Sequence, residues 1–186
     1  MEYNVKFIIL SQNHYKDGDL DKVSVSNMIG IKFKLTDCDE YILCATLRPD
    51  ALFCATNLWI KSSMDLVKLK VGSQVWIVAK DAQSKVEHQF DDVSFVSELK
   101  GKDLFSKEVT APLIDKVIPI YNAEFCDSKH GTGLVYSSPA DSPHDYLNLF
   151  ETKFPGKSLF EFIDPTVPAV WGALRFLFLV GLCCGI

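Results

Sequence analysis

No Cys-x-x-Cys pair occurs in this 186-residue chain, and none of its six cysteines keeps the Cys/His spacing of a zinc site, so no metal centre is expected. Cys38, Cys44, Cys54, Cys126, Cys183 and Cys184 then read as reduced, mostly buried thiols of a cytoplasmic protein. Positive charge is in deficit. The formal net charge of -5 excludes a broad, sequence-independent grip on a nucleic acid backbone, which needs clustered Lys and Arg to displace counterions. Contact with one short single-stranded end stays open. The first apolar run, Val5 to Leu10, is too short for a signal peptide, and Met1 to Asn4 supplies no basic n-region. Internal repeats, low-complexity linkers and a Gly-x-Ser-x-Gly nucleophile elbow are all missing. With 48% hydrophobic and 23% charged residues, the chain is not a disordered tail, and its length suffices for one domain with a real core.

Short extended segments dominate the pattern. Val5 to Leu10 predicts a strand, and Ser11 to Asp21 a polar stretch with turn chemistry at Lys16-Asp17-Gly18-Asp19. Ile29, Ile31, Phe33 and Leu35 alternate with Gly30, Lys32 and Lys34, the mark of a half-buried strand. Asp37 to Glu40 turns it into an antiparallel partner over Tyr41 to Thr46. Pro49 breaks that partner, Ala51 to Thr56 reads as a turn of helix or a loop, and Asn57 to Ile60 resumes extended structure. Leu66 to Lys70, Gln74 to Ala79, Val93 to Leu99 and Val117 to Tyr121 are further strands, and Lys80 to His88 is a weakly amphipathic helix. Such spacing predicts an α+β domain: an antiparallel β-barrel of short strands, closed or nearly closed, with a few peripheral helices, over residues 1–168.

One stretch is denser in backbone instruction than the rest. Gly131 and Gly133 permit positive φ or close approach, Leu134 to Ser138 can run extended, and Pro139 withholds the next donor. Ser142 is a good N-cap, Pro143 suits the first helical position, and a helix follows to about Thr152 with Tyr146, Leu147, Leu149 and Phe150 as its apolar side. Asp145 lies three residues after Ser142. Two roles fit that spacing, a fixed anion at the mouth of a strand-to-helix crevice or the second half of a capping box.

The last eighteen residues, 169–186, carry one charge, Arg175. A spanning helix needs roughly 20 apolar residues, and an arginine near a membrane centre costs about 2.5 to 3.5 kcal/mol. Three readings of this tail stay open: a membrane anchor, which Arg175 weighs against, an element that completes the core, or sequence foreign to the original reading frame.

Ala45-Thr46-Leu47-Arg48-Pro49-Asp50 with Asn57-Leu58-Trp59, and Gly131-Thr132-Gly133 leading to Ser138-Pro139-Ala140-Asp141-Ser142-Pro143-His144-Asp145, resemble the editing insertion of leucyl-tRNA synthetases of the archaeal and eukaryotic cytosolic type. Weaker similarity runs through Gln12-Asn13-His14, Asp17-Gly18-Asp19, Ile31-Lys32-Phe33, Leu99-Lys100-Gly101 and Ala111-Pro112-Leu113, so it covers about Ser11 to Leu149. The resemblance implies a barrel-based domain that removes near-cognate amino acids from the terminal adenosine of mischarged tRNA. Its partners would be the 3' end of an aminoacylated tRNA and the remainder of a synthetase. No cofactor is implied for editing, ATP belonging to the synthetic domain.

By the same resemblance, Asp145 matches the aspartate that pairs with the free ammonium of the misattached amino acid. Thr46 matches a threonine near the ester or the attacking water. Arg48 would be a structural or phosphate-facing group, or a surface ion pair. Thr132 would bind the terminal ribose or satisfy its own turn, and Ser138, Asp141 and His144 complete the expected substrate-binding set with Ala51. An aminoacyl ester is already reactive, so positioning ester, water and charges suffices without a protein nucleophile. Ala51 stands where the family has a second threonine that keeps leucine out, and Cys54 where a small glycine is customary. Those departures imply a roomier pocket with poorer rejection of leucine, or, as the alternative, a catalytically degenerate binding module tethered by its apolar tail.

Overall fold

Strand β2 (Ser24–Leu35) organises the fold, because along its length it pairs with three others. The computed structural model describes residues 8–14 and 24–151. Within them the first half of β2 pairs antiparallel with β1 (Ile8–His14), the second half with β3 (Glu40–Thr46), and its last two residues with β8 (Glu108–Ala111). The other strands are β4 (Asn57–Ile60), β5 (Asp65–Val71), β6 (Gln74–Ala79), β7 (Val93–Lys100), β9 (Lys116–Asn122) and β10 (Val135–Ser137). All ten form one sheet in the order β10-β4-β9-β8-β2-β3-β6-β5-β7, with β1 beside β2 off that path. Pairs β3/β6 and β4/β9 are parallel.

The α+β class with few helices stands, but the expected antiparallel barrel does not. End strands β7 and β10 do not pair with each other, so the sheet is open, and its two parallel junctions make it mixed. Turn spacing reports local hairpins such as β2/β3 and β5/β6; it carries no information on where a chain that leaves one hairpin docks next. After β3 the 3-10 turn Pro49–Cys54 sends the chain away from β2 to the distant β9. Closure would also require strand number, tilt and stagger to agree around the ring.

Side chains from strands far apart in the path share one core. Phe33 of β2, Ile42 of β3, Ile77 of β6, Leu58 of β4, Ile118 of β9 and Tyr136 of β10 lie in the same buried cluster, so the sheet curls over a single interior. The opposite face of β3, β5 and β6 is also covered. Leu43, Val67, Leu69, Trp76 and Val78 pack there with Ala82 and Val86 from the 3-10 turn Lys80–Ala82 and helix α1 (Gln83–Glu87). Burial on both faces explains why Val75 to Ala79 of β6 is apolar without interruption. β7, by contrast, is an edge strand with Phe95 and Val96 exposed.

Several expectations shift. β1 runs on through Ser11 to His14, which read as a polar turn region, because its ladder with Ser24 to Gly30 uses backbone groups that any sequence supplies. The Lys16 to Asp19 turn and the tail 169–186 lie outside the described residues. Strand β8 has no counterpart in the sequence reading. The helix begins at Pro143 as expected, but α2 (Pro143–Tyr146) gives way to a π-helical turn, Leu147–Glu151. There Leu149 is buried while Leu147 is exposed, because residues two apart on a helix point to nearly opposite sides. Among the described residues no helix is long and apolar enough to cross a membrane.

Candidate functional site

The two sequence blocks meet at the end of β10. Pro139 stops that strand after Ser137, and the chain turns so that the Ser138 carbonyl accepts the Asp141 and Ser142 amides at 2.9 and 3.0 Å. Ser138 is the junction. Its amide donates to Asp145 Oδ2 at 2.9 Å, and its hydroxyl donates to the Ala51 carbonyl at 2.7 Å. Two residues earlier on the same strand face, Tyr136 Oη lies 2.7 Å from the Arg48 carbonyl and 3.3 Å from Thr46 Oγ1. Thr46 Oγ1 in turn accepts the Arg48 amide at 3.0 Å. Tyr136 and Ser138 thus hold both blocks, Thr46 to Ala51 on one side and Asp145 on the other.

Asp145 is the one charged side chain buried among the described residues, at 9% exposure. No cationic side chain among them forms an ion pair with it. Ser142 caps α2 by accepting the Asp145 amide at 3.2 Å, but the reciprocal half of a capping box is not formed: the Ser142 amide goes to the Ser138 carbonyl, and the carboxylate to Ser138. Burial pushes the Asp145 carboxyl above its ordinary value of 3.8, against the opposing pull of the Ser138 amide, Ser142, His144 and Trp59. Desolvation of a charge outweighs the partial charge of a four-residue helix. Trp59 Nε1 is buried without a well-aligned acceptor, yet it acts on that carboxyl.

The remaining expected residues divide by exposure. Arg48 pairs with Asp50 at 2.9 Å on the surface, with both side chains more than 60% exposed, a contact worth about 0 to 1 kcal/mol. His144 is exposed and meets the Phe125 ring edge-on at 4.9 Å, and Phe125 meets Trp59 at 5.7 Å. Asp141 is half-buried beside Cys54, whose thiol is pushed up to about 11, first by burial and then by Asp141. Thr132 lies deeper than the others. Its hydroxyl accepts the Ala45 amide at 3.1 Å and its carbonyl accepts the Ala79 amide at 2.9 Å, so it ties the end of β3 to the end of β6. Thr132→Val, which keeps the shape and removes the acceptor, is expected to lower unfolding free energy by about 1 to 3 kcal/mol in urea denaturation. An unchanged midpoint would show that the Ala45 bond contributes nothing.

Tyr136, Trp59, Phe125 and Cys126 join the site without having been singled out for it. Cys126 is pushed up to about 12 by burial and, next, by the Asp145 charge. Only Tyr136 left a legible trace: in the alternation of a strand it must share a face with Ser138. Among the described residues no three His, Cys, Asp or Glu side chains gather as a metal site would require.

The family model described as "Leucyl-tRNA synthetase, editing domain" matches residues 23–161. A leucine–tRNA ligase of Staphylothermus marinus is 39% identical over 160 residues, 84% of this chain and 16% of that protein. One from Thermoplasma volcanium is 36% identical over 138 residues, 74% of this chain and 15% of that protein. The chain therefore spans about one sixth of the length of these relatives. The solved structure described as GlLeuRS-CP1 superposes with a TM-score of 0.61 at 29% identity, over 68% of this chain and 61% of that one. The cytosolic leucyl-tRNA synthetase editing domain of P. falciparum, at 17% identity and a TM-score of 0.51 over 62% of this chain and 48% of that one, shares the fold.

Proposed function

Because the chain belongs to the leucyl-tRNA synthetase editing-domain family, we propose that it hydrolyses mischarged leucine tRNA as the proofreading part of a larger cytoplasmic synthetase. The observation that supports this reading is the buried Asp145 carboxylate, which forms no ion pair with a cationic side chain among the described residues and is held by Ser138, two residues along from the Tyr136 that meets the Thr46 hydroxyl. Burying an ionised carboxylate is costly unless a positive charge meets it. A free α-ammonium supplies that charge. An aminoacyl ester on the terminal adenosine carries such an ammonium, whereas an uncharged tRNA end does not.

Hydrolysis of that ester needs little more than placement. In this reading Asp145 fixes the ammonium and Thr46 lies beside the carbonyl or the water, so that placement and partial desolvation carry the reaction. No cofactor enters the reaction. Grip on the rest of the tRNA falls to the synthetase body, since this chain carries a net charge of -5.

The test is release of amino acid from tRNA charged with norvaline, with leucine as comparison. The chain is expected to hydrolyse norvalyl ester, and leucyl ester more readily than Ala51→Thr does, because Ala51 adjoins Ser138 at the site. A difference of one methyl and one hydroxyl is worth roughly 10- to 200-fold in discrimination. Equal rejection of leucine by both proteins would overturn the role given to Ala51. Inert wild type would favour the degenerate module, to which Ala51 and Cys54 also point.

A further inference from the structure

We propose that Tyr136 is a positioning residue that commits the proton of Thr46, so that Thr46 meets the attacking water as a hydrogen-bond acceptor. This rests on the hydrolytic reading above and assigns a direction to its least defined group. The argument is one of counting protons. A phenol has one proton and a carbonyl oxygen can only accept, so the 2.7 Å contact between Tyr136 Oη and the Arg48 carbonyl consumes the Tyr136 proton. The 3.3 Å contact between Tyr136 Oη and Thr46 Oγ1 then requires the proton of Thr46. Thr46 Oγ1 also accepts the Arg48 amide at 3.0 Å. What remains on Thr46 is one lone pair.

A lone pair can hold one proton of a water molecule and leave the water's own lone pair free to face the ester carbon. It cannot donate to the ester carbonyl. Water attack forms the new C–O bond, and the ester C–O bond breaks with its electron pair on the ribose oxygen. The proton lost by water ends there, giving free amino acid and a ribose hydroxyl. Thr46 is unchanged throughout. Burial of Tyr136, which holds its phenol up to about 12, keeps the donor to Arg48 protonated across the working pH range. The surrounding frame is rigid: the Tyr136 ring packs against Phe33 at 5.7 Å, and Ser138 anchors the same strand end.

Tyr136→Phe removes only the hydroxyl and keeps the ring. In steady-state deacylation of norvaline-charged tRNA by the full chain, kcat is expected to fall about tenfold with KM within about twofold. In a Thr46→Ala background, Tyr136→Phe should lower kcat no further, because its effect passes through Thr46. A merely structural role would raise KM or act equally in both backgrounds. Wild-type kcat in Tyr136→Phe, or an undiminished effect without Thr46, overturns the positioning role while hydrolysis stands. Absence of hydrolysis by the wild type overturns the functional reading and this inference together. Should Tyr136→Phe fail to fold, Tyr136→Met, also without a hydroxyl, is read by the same criteria.

Discussion

Asp145→Asn is expected to lower kcat/KM for norvaline-charged tRNA by at least about 100-fold, the cost of losing one charge partner in a desolvated pair, about 3 kcal/mol. The same substitution should leave the fold intact. An asparagine oxygen can still accept the Ser138 amide, now held by Asp145 Oδ2 at 2.9 Å, and the Asp145 amide keeps its Ser142 cap. Burial raises the carboxyl in the folded state, so the folded protein binds its proton more tightly than the unfolded chain does. The stability linked to that proton is fully present below the ordinary value of 3.8 and is lost as pH rises through the folded value. At neutral pH the ionised Asp145 is therefore a cost, and Asp145→Asn should melt no lower than wild type. Activity should run the opposite way and rise with pH as the carboxyl ionises. Thermal melts and deacylation across pH check both. An Asn variant as active as wild type, or an activity that falls as the carboxyl ionises, would remove Asp145 from the site.

Gly133→Ala is expected to be among the most damaging single-methyl changes in the chain, lowering stability by about 3 kcal/mol or more. Gly133 sits at φ 80°, and a Cβ there would lie 2.5 Å from Ala79 Cβ and 3.1 Å from Ser128 Cα. The left-handed backbone costs an L-residue about 1 to 2 kcal/mol and overpacking a further 1 to 3. In a domain of this size that is a fall of roughly 10 °C in melting temperature. Displacement would also pull on Thr132, whose bonds to Ala45 and Ala79 fix the end of β3 that leads into Thr46. Gly72→Ala is the matched control. Gly72 has φ 58° but nothing within 4 Å of its Cβ position, so only the backbone part of the cost applies. Equal melting of the two variants would show that the Ala79 contact relaxes without cost.

Local structure is legible wherever a residue's neighbours in sequence are also its neighbours in space. Ile29 to Leu35 and Tyr41 to Thr46 form the hairpin that the Asp37 to Glu40 turn implies, and Ser142 caps the helix that Pro143 begins. The errors fall on long-range events. β4 lies parallel to β9 and β3 parallel to β6, and nothing in a strand's own composition states its partner. Strand spacing by itself does not imply closure into a barrel, and here the sheet is open. At the site, spacing alone left Asp145 divided between a cap and a buried anion. The bond to Ser138, seven residues back, takes the carboxylate away from a capping box.

The amino-acid sequence by itself determined which residue types were available, where the backbone must turn, and to which family the two blocks around Thr46 and Asp145 are similar. Turn and cap preferences act over a few residues, and a family likeness is written in the order of side chains, so both survive without coordinates. Only the tertiary structure decided that the sheet stays open, that Asp145 is buried without an ion-pair partner among the described residues, and that Tyr136 stands against Thr46. Burial and proton direction depend on groups brought from ninety residues away in the chain, and such meetings are set by the packing of the whole core.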